Sequence, residues 1–344
     1  MFGWLKKALG LTTEAPAPDP APTKTPASDN PLDSVSSEEM ARWRARSLDA
    51  LERSDKGVPL QALATHAKML GKSAELQGRE LTVSEGDLVT KITVADDHDL
   101  ACELDSSMVG VIRVATQIPD SYDSLLRLPI NLFTTLGAVR DDPGYAWHVE
   151  LRLPWYKTNN AWWGVLFPIL RFAIEDSGRQ LFMALHAMSS QRMIPAAEPS
   201  RWTEAELKAT QDALTQVGLK GTRSAGELTV KIPVDDGKVA KLRIATTEEH
   251  PSGMAGVMVQ LVMPANEDRD DISQTAEDLN TAEFEDGQAL YHLGAWCDDG
   301  QGHLVYMTFL PNALHSESES DAILVNYAKM QVERARWAWQ EETM

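Results

Sequence analysis

Cysteine is scarce: this chain of 344 residues has two, Cys102 and Cys297. Two cysteines build no disulfide framework, so a hydrophobic core must carry the fold, and a reducing compartment is expected. Neither has a second cysteine or a helically spaced histidine beside it, which argues against a metal site; both read as small buried hydrophobes. Long apolar runs are also lacking. The longest, Ala161 to Ile174, is interrupted by Arg171 and falls short of the roughly 20 residues that span a bilayer. It reads as a core helix. Basic residues are outnumbered, with 32 Lys and Arg against 51 Asp and Glu and a net charge of −19. A body so acidic repels phosphate, so nucleic acid is excluded as a partner.

Catalytic signatures are missing too. No G-x-S-x-G, H-E-x-x-H or paired C-x-x-C occurs. Gly71-Lys72-Ser73 looks like the end of a phosphate loop, but His66 stands where the first glycine belongs and the segment ends a helix. The histidines are scattered. His292 and His303 lie near Asp298 and Asp299 and could approach across a hairpin, but the matching positions of the first half, Thr135 and Ala146, share no such site. Exposed hairpin residues are the simpler reading. The sequence thus predicts no enzyme, no cofactor and no metal.

The N-terminus has a shape of its own. In residues 1–10, Phe2, Leu5 and Leu9 share one helical face with Trp4 at its margin and Lys6 and Lys7 elsewhere. The lysines follow the apolar residues, so this is no signal peptide. It reads as an amphipathic tip for a membrane surface or a partner groove. Residues 11–35 follow as a disordered tether rich in proline and alanine, with Pro16, Pro18, Pro20, Pro22, Pro26 and Pro31. Extended at about 3.1 Å per residue, it reaches roughly 70 Å. A helix comes next, with a capping-box spacing from Ser36 to Glu39 and an apolar stripe of Met40, Trp43, Leu48 and Leu51.

The remainder repeats itself. Glu80-Leu81-Thr82-Val83 returns as Glu227-Leu228-Thr229-Val230, and Gly110-Val111 as Gly256-Val257. The window from Leu136 to Pro154 aligns without a gap on Leu293 to Pro311, offset by 157, with seven of 19 residues identical. Matches in the same order indicate a duplication. Each copy reads as an amphipathic helix (59–70; 203–217, with a capping box from Thr203 to Glu206), then strand-like runs. These lie at 80–83, 88–94, 99–104 and 109–116 in the first copy and at 227–234, 238–246 and 255–263 in the second. A middle helix (120–135; 271–284) and two strands around an Asp-Asp turn follow, at Asp141-Asp142 and Asp298-Asp299. A long apolar helix closes each copy (160–175; 320–340), and an extra helix at 179–193 bridges the halves.

The predicted fold class is α+β: two tandem α-βββ-α-ββ-α repeats, antiparallel sheets with helices packed on them, related by a pseudo-twofold. The first repeat, with its preceding and bridging helices, occupies 36–198 and the second 199–344. Ile323, Leu324, Tyr327, Met330 and Trp337 make one apolar stripe on the last helix, while Val325, Ala328, Val332, Ala335 and Trp339 make another. A helix apolar on two faces must be covered twice, so the two closing helices are expected to shield each other.

This element order, the acidic charge and hairpins ending in Leu153-Pro154 and Leu310-Pro311 before a long helix resemble the YbjN-like family, whose fold is shared by class I type III secretion chaperones. The resemblance covers about 55–178 and 200–340. It implies a bacterial, acidic, non-enzymatic body in which the tandem copies enclose their own dimer, so that the chain is a monomer. The tip, the tether and the length depart from the family. The expected function is a protein-binding adaptor or chaperone-like protein, cytoplasmic, with a protein client or assembly partner and a peripheral contact at the inner membrane through residues 1–10 as one option. Candidate contacts are Phe2, Trp4, Leu5 and Leu9 on the tip and whichever of Trp155, Tyr156, Trp337 and Trp339 stand exposed. The nine acids between Glu267 and Asp286, against Arg269 alone, would steer a basic partner or form a solvated insertion. A structural or regulatory subunit of a larger bacterial assembly is the alternative; an enzyme of unrecognised type is the third.

Overall fold

The structure, a computed structural model, describes residues 60–95, 108–118, 131, 136–140, 147–156, 163–190, 196, 198–235, 237–248, 250, 252–266, 269, 271–285, 292–315 and 320–343. The tip, the tether, the helix expected after Ser36, the strand at 99–104, the middle helix at 120–135 (save Asn131), the Asp141-Asp142 turn and Cys102 lie outside the described residues.

In the first half, α1 (Leu60–Met69) leads into β1 (Ser73–Gln77), β2 (Glu80–Glu85), β3 (Leu88–Ala95) and β4 (Met108–Gln117). The short β5 (Ala138–Arg140) and long β6 (His148–Tyr156) follow, then α2 (Trp163–Phe172), a π-helical turn (Ala173–Ser177) and α3 (Gly178–Ser190). The second half runs α4 (Glu204–Gln216), β7 (Gly221–Ser224), β8 (Glu227–Asp235), β9 (Lys238–Ala245), β10 (Gly256–Val262), α5 (Ile272–Glu285), β11 (Ala295–Asp298), β12 (Leu304–Pro311), a 3₁₀ turn (Asn312–Leu314) and α6 (Ser320–Thr343).

Each half forms a six-stranded antiparallel sheet. The strand orders are β1-β2-β3-β4-β6-β5 and, read from the other edge, β7-β8-β9-β10-β12-β11. These are the same permutation, so the duplication read from sequence is a duplication of topology. Each sheet opens with a strand that the periodicity did not mark, β1 in the first copy and β7 in the second. Their sequences, Ser-Ala-Glu-Leu-Gln and Gly-Thr-Arg-Ser, are short and polar because they are edge strands with a wet outer side.

The repeated Leu-Gly-Ala has a steric cause. A Cβ on Gly137 would lie 2.5 Å from the Glu150 carbonyl oxygen, and one on Gly294 would lie 2.3 Å from that of Met307. Glu150 and Met307 are themselves equivalent in the repeat, so both copies need glycine where the short strand meets the long one. The Asp-Asp turn of the second copy is turn chemistry, as expected. Asp298 accepts from the Gly300 amide (2.7 Å), and Asp299 accepts from the Gln301 and His303 amides (2.8 and 3.0 Å).

The main core runs through both halves, from Leu81, Ile92 and Ile112 to Leu242, Val257 and Leu324. The covering of α6 differs from the expectation. It packs on α4, the opening helix of its own half, and on β8 and β9 of its own sheet. The first closing helix, α2, instead meets the second half at the Asn312–Leu314 turn. A long α6 against a full-length α4 buries both stripes locally, so no sister helix is needed. The halves join by other means. The Gly137 amide donates to the Leu293 carbonyl (3.2 Å), just ahead of the short edge strands β5 and β11, which meet there. A second apolar cluster then unites Ile118, Val149 and, from α3, Leu181 and Leu185 with Met258, Met307 and Phe309 of the other half.

The capping box at α4 forms as read: Thr203 accepts from the Ala205 amide (3.2 Å), and Glu206 accepts from the Thr203 amide (2.9 Å). Thr203→Ala is expected to cost about 1 kcal/mol in a denaturant titration, the usual worth of an N-cap. No helix among the described residues is long and apolar enough to cross a membrane.

Candidate functional site

The densest set of ionisable side chains lies where the halves meet. β6 reads His148-Val149-Glu150-Leu151-Arg152-Leu153. Strand alternation sends Leu151 and Leu153 into the main core and puts His148, Glu150 and Arg152 on the opposite face. In the repeat, these three correspond to Val305, Met307 and Phe309 of β12. The same face is therefore ionic in the first sheet and apolar in the second.

Glu150 is fully buried. It pairs with Arg113, with Arg152 Nε at 2.7 Å and with His148 Nε2 at 3.0 Å. Burial alone would raise its carboxyl, but the His148 hydrogen bond and the charges of Arg152 and Arg113 win and bring it down to about 2. Arg152 reaches further and donates to the Phe284 carbonyl at the end of α5. There a cation satisfies one of the unpaired terminal carbonyls at the negative end of the helix. The guanidiniums of Arg140 and Arg152 lie 4.7 and 4.8 Å from the Phe284 ring centroid.

Across the seam, His292 stacks on Phe284 with centroids 4.5 Å apart. Its amide donates to the Arg152 carbonyl (3.1 Å), and its Nδ1 lies 3.3 Å from Glu283 Oε2. Glu283 accepts from Arg334 Nε of α6 at 2.6 Å, and both side chains are buried. Arg334 sits 4.0 Å over the Tyr306 ring. The Tyr306 hydroxyl accepts from the Gly294 amide, and Tyr327 bonds Thr308 at 2.5 Å. Burial opposes the charge on Glu283, yet Arg334 and His292 hold its carboxyl below the usual range. Burial pushes the His292 imidazole below its ordinary value despite Glu283, and pushes the Tyr306 and Tyr327 hydroxyls up.

These directions set the acid response. His292 is held neutral in the fold, so its protonation favours the unfolded chain as pH drops below about 6.5. Glu150 and Glu283 are depressed, so their stabilisation is complete above about 4.5 and is lost as pH falls through their folded values. For Glu150 the shift corresponds to about 3 kcal/mol at neutral pH. Urea titrations between pH 7 and pH 3 should therefore show stability falling in two stages, with Glu150→Gln flattening the lower one.

A second cluster ties α1 to the π-helical turn. Glu175 accepts from His66 Nε2 (2.6 Å) and from Arg171 Nη2 (2.7 Å), and Lys72 donates to the Ile174 and Glu175 carbonyls (both 2.8 Å). The ELTV offset of 147 places Ala213 and Leu219 at the positions of His66 and Lys72. This cluster is thus a feature of the first half alone.

The sequence-derived candidates fall elsewhere. Phe2, Trp4, Leu5 and Leu9 lie outside the described residues. Trp155 and Tyr156 end β6, and their side chains are also outside them. Trp337 is half-buried against the main core. Trp339 is buried, and its Nε1 donates to Asp235 (3.3 Å); it belongs to the core and offers no exposed contact surface. His292 and His303 do not converge: His292 turns to Glu283, while His303 Nδ1 bonds Asp299 at 2.8 Å on the half-exposed hairpin. Cys297 is buried with its thiol pushed well up by burial, the small hydrophobe expected of it. Among the described residues no three carboxylate, histidine or cysteine groups are placed to hold a metal ion.

Sequence reading missed Glu150, Arg152, Glu283 and Arg334. The visible signal was the alternation of His148, Glu150 and Arg152 with apolar residues, which looks the same for a solvated strand face as for one covered by another half. Compared with protein-family models, curated proteins and solved structures, the chain matches none.

Proposed function

We propose that the chain is a non-enzymatic protein-binding adaptor or chaperone-like protein, brought to a membrane surface or a partner by its N-terminal arm. The observation that carries this reading is that the richest ionisable cluster is spent on joining the halves. Each carboxylate there is matched by guanidiniums and held ionised, so neither is poised to exchange protons near neutral pH. Such a seam makes a stiff body with its outer surfaces left for contact. The doubled topology agrees with a YbjN-like unit in which two copies in one chain replace a homodimer. Charge repulsion from the −19 body disfavours acidic partners and favours basic ones.

Affinity capture with the full chain and with a chain lacking residues 1–10, read by mass spectrometry, tests this. The reading expects a defined partner set, or recovery on anionic vesicles, that disappears with the deletion while the melting temperature stays unchanged. An identical set from both chains removes the arm from the account. Light scattering on the purified full chain expects a monomer; a stable higher oligomer favours the subunit of a larger assembly.

A further inference from the structure

We infer that the outer face of β7, β8 and β9 is a membrane contact, where a row of three lysines lies against anionic lipid headgroups. The inference rests on the membrane-surface reading of the N-terminal arm and supplies that arm with a second contact. Strand alternation seals Val230, Ile232, Ala240 and Leu242 in the main core beneath α6 and turns Lys231 and Lys241 to the opposite face. The register places Lys231 directly across from Lys241. Gly221 faces Val230, so Lys220, one residue earlier, stands at the next place of the ladder, beside Lys231. All three lysines are exposed. With strands about 4.8 Å apart, three ammonium groups share one line across the sheet.

The row is uncompensated in a chain with 51 acids. Among the described residues, none of the three lysines makes a hydrogen bond or an ion pair. Lys241 meets Glu227 only through its field, and that carboxylate is bonded to Arg243 at 2.7 Å. Like charges directly opposite each other destabilise a sheet, and this fold does not require them. The duplication puts Ser73, Ser84 and Val89 at the same places of the first sheet. Beyond Lys241 the row continues into Val262 and Val305, which pack in the apolar cluster at the seam. One face of the second sheet is therefore apolar and closed at β10 and β12, and basic and open at β7, β8 and β9.

Three observations favour a bilayer over a folded acidic partner. The free cations are ammonium groups on flexible stems, while the guanidinium of this face, Arg243, is held by Glu227 and Glu248. What remains is point-charge attraction to a plane of phosphates, with no fork to clasp a carboxylate. Beside the row, Val239 is 43% exposed, one of four large apolar side chains so placed among the described residues, and the exposed Pro233 lies opposite it. These offer apolar atoms to the headgroup boundary. The tip brings its own apolar face with Lys6 and Lys7, and since one short anchor binds a bilayer only marginally, stable binding takes a second signal. The acids elsewhere on the body do not cancel the row, because charges more than about 10 Å away are largely screened at about 0.1 M salt.

The test is co-sedimentation of the purified full chain with phosphatidylcholine vesicles, plain or carrying about one-third phosphatidylglycerol, at about 0.1 M salt. The chain should bind the anionic vesicles and not the plain ones. Lys220→Gln, Lys231→Gln and Lys241→Gln should each weaken binding by about fivefold and together by about a hundredfold, as expected for lysines at an anionic surface, with the melting temperature of the triple variant unchanged. A control with the same loss of charge elsewhere, Lys68→Gln, Lys329→Gln and Arg336→Gln, should stay within about twofold. Binding unmoved by the row variants, or weakened equally by the control, overturns the inference, the latter because it shows general charge attraction. Row-dependent binding of labelled hexaglutamate without vesicle binding also overturns it, by moving the site to an acidic protein segment. The chain lacking residues 1–10 separates this inference from the arm. Loss on deletion with no effect of the row refutes the inference and leaves the arm standing, whereas row-dependent binding that survives the deletion supports the inference and removes the arm.

Discussion

Replacing Glu150 by alanine is expected to lower the unfolding free energy by about 3–5 kcal/mol, the usual cost of removing one member of a buried charge cluster. The arithmetic of the site explains why. Glu150 is the shared acceptor for Arg113, Arg152 and His148. Without it, two guanidiniums face each other on a covered strand face with no carboxylate between them. Arg152 would then swing from Glu150, and its second contact, the Phe284 carbonyl that caps α5, would weaken with it. Glu150→Gln keeps the shape and two hydrogen-bonding atoms but not the charge, so it should cost less. Equilibrium urea unfolding of the three proteins at pH 7 gives the ordering wild type, Gln, Ala. A loss below about 1 kcal/mol for Glu150→Ala, the range of an exposed pair, would show that this face is wet.

Arg334→Ala should produce a loss of similar size, again about 3–5 kcal/mol, from the other side of the seam. Arg334 is buried, bonds Glu283 at 2.6 Å and covers the Tyr306 ring at 4.0 Å. Its removal strands Glu283 with a His292 that burial keeps neutral. The informative comparison is the double variant Glu283→Gln with Arg334→Met. Replacing both partners removes the desolvation cost together with the attraction, and such swaps are often close to neutral. A double-mutant cycle should therefore return a coupling of more than 1 kcal/mol. Additive losses would mean that the two side chains act independently and that the stacking on Tyr306, not the ion pair, is what Arg334 contributes.

The duplication was legible because it was written twice. ELTV, LGA and the Leu-Pro exits recur for steric and register reasons that both copies share, and Gly137 and Gly294 show the cause directly. The α+β class and most boundaries followed from periodicity, including α4 with its capping box. Three things were not legible, for different reasons. β1 and β7 lack the apolar alternation that marks a strand, since an edge strand of four or five residues needs little of it. The cover on α6 was misjudged because two apolar stripes say how many neighbours a helix has and not which ones; α4 was as good a candidate as α2. The seam was hidden because His148, Glu150 and Arg152 alternate just as a solvated face would. Only the other half, bringing Phe284 and His292, turns that face into an interior. Arg334 was similarly masked among Glu333, Arg336 and Gln340, surface residues of the same helix.

What the seam does for function follows from its energetics. Two six-stranded sheets joined only by a flexible connection would move independently, as domains with small polar interfaces do. Here a backbone link from Gly137 to Leu293, a shared apolar cluster and the Glu150–Arg152–Phe284–His292 contacts cross the boundary. A body locked in this way presents its surfaces at fixed positions, which lowers the ordering cost when a partner binds.

Hydrogen exchange read by mass spectrometry addresses that locking directly. Peptides covering β4 and β6 of the first sheet and β10 and β12 of the second would be followed in the wild-type chain and in Arg152→Ala. A locked body predicts that the slowest amides of both sheets open together in the wild type, and that Arg152→Ala separates them into two rates. Two distinct rates already present in the wild type, unmoved by the substitution, would contradict it.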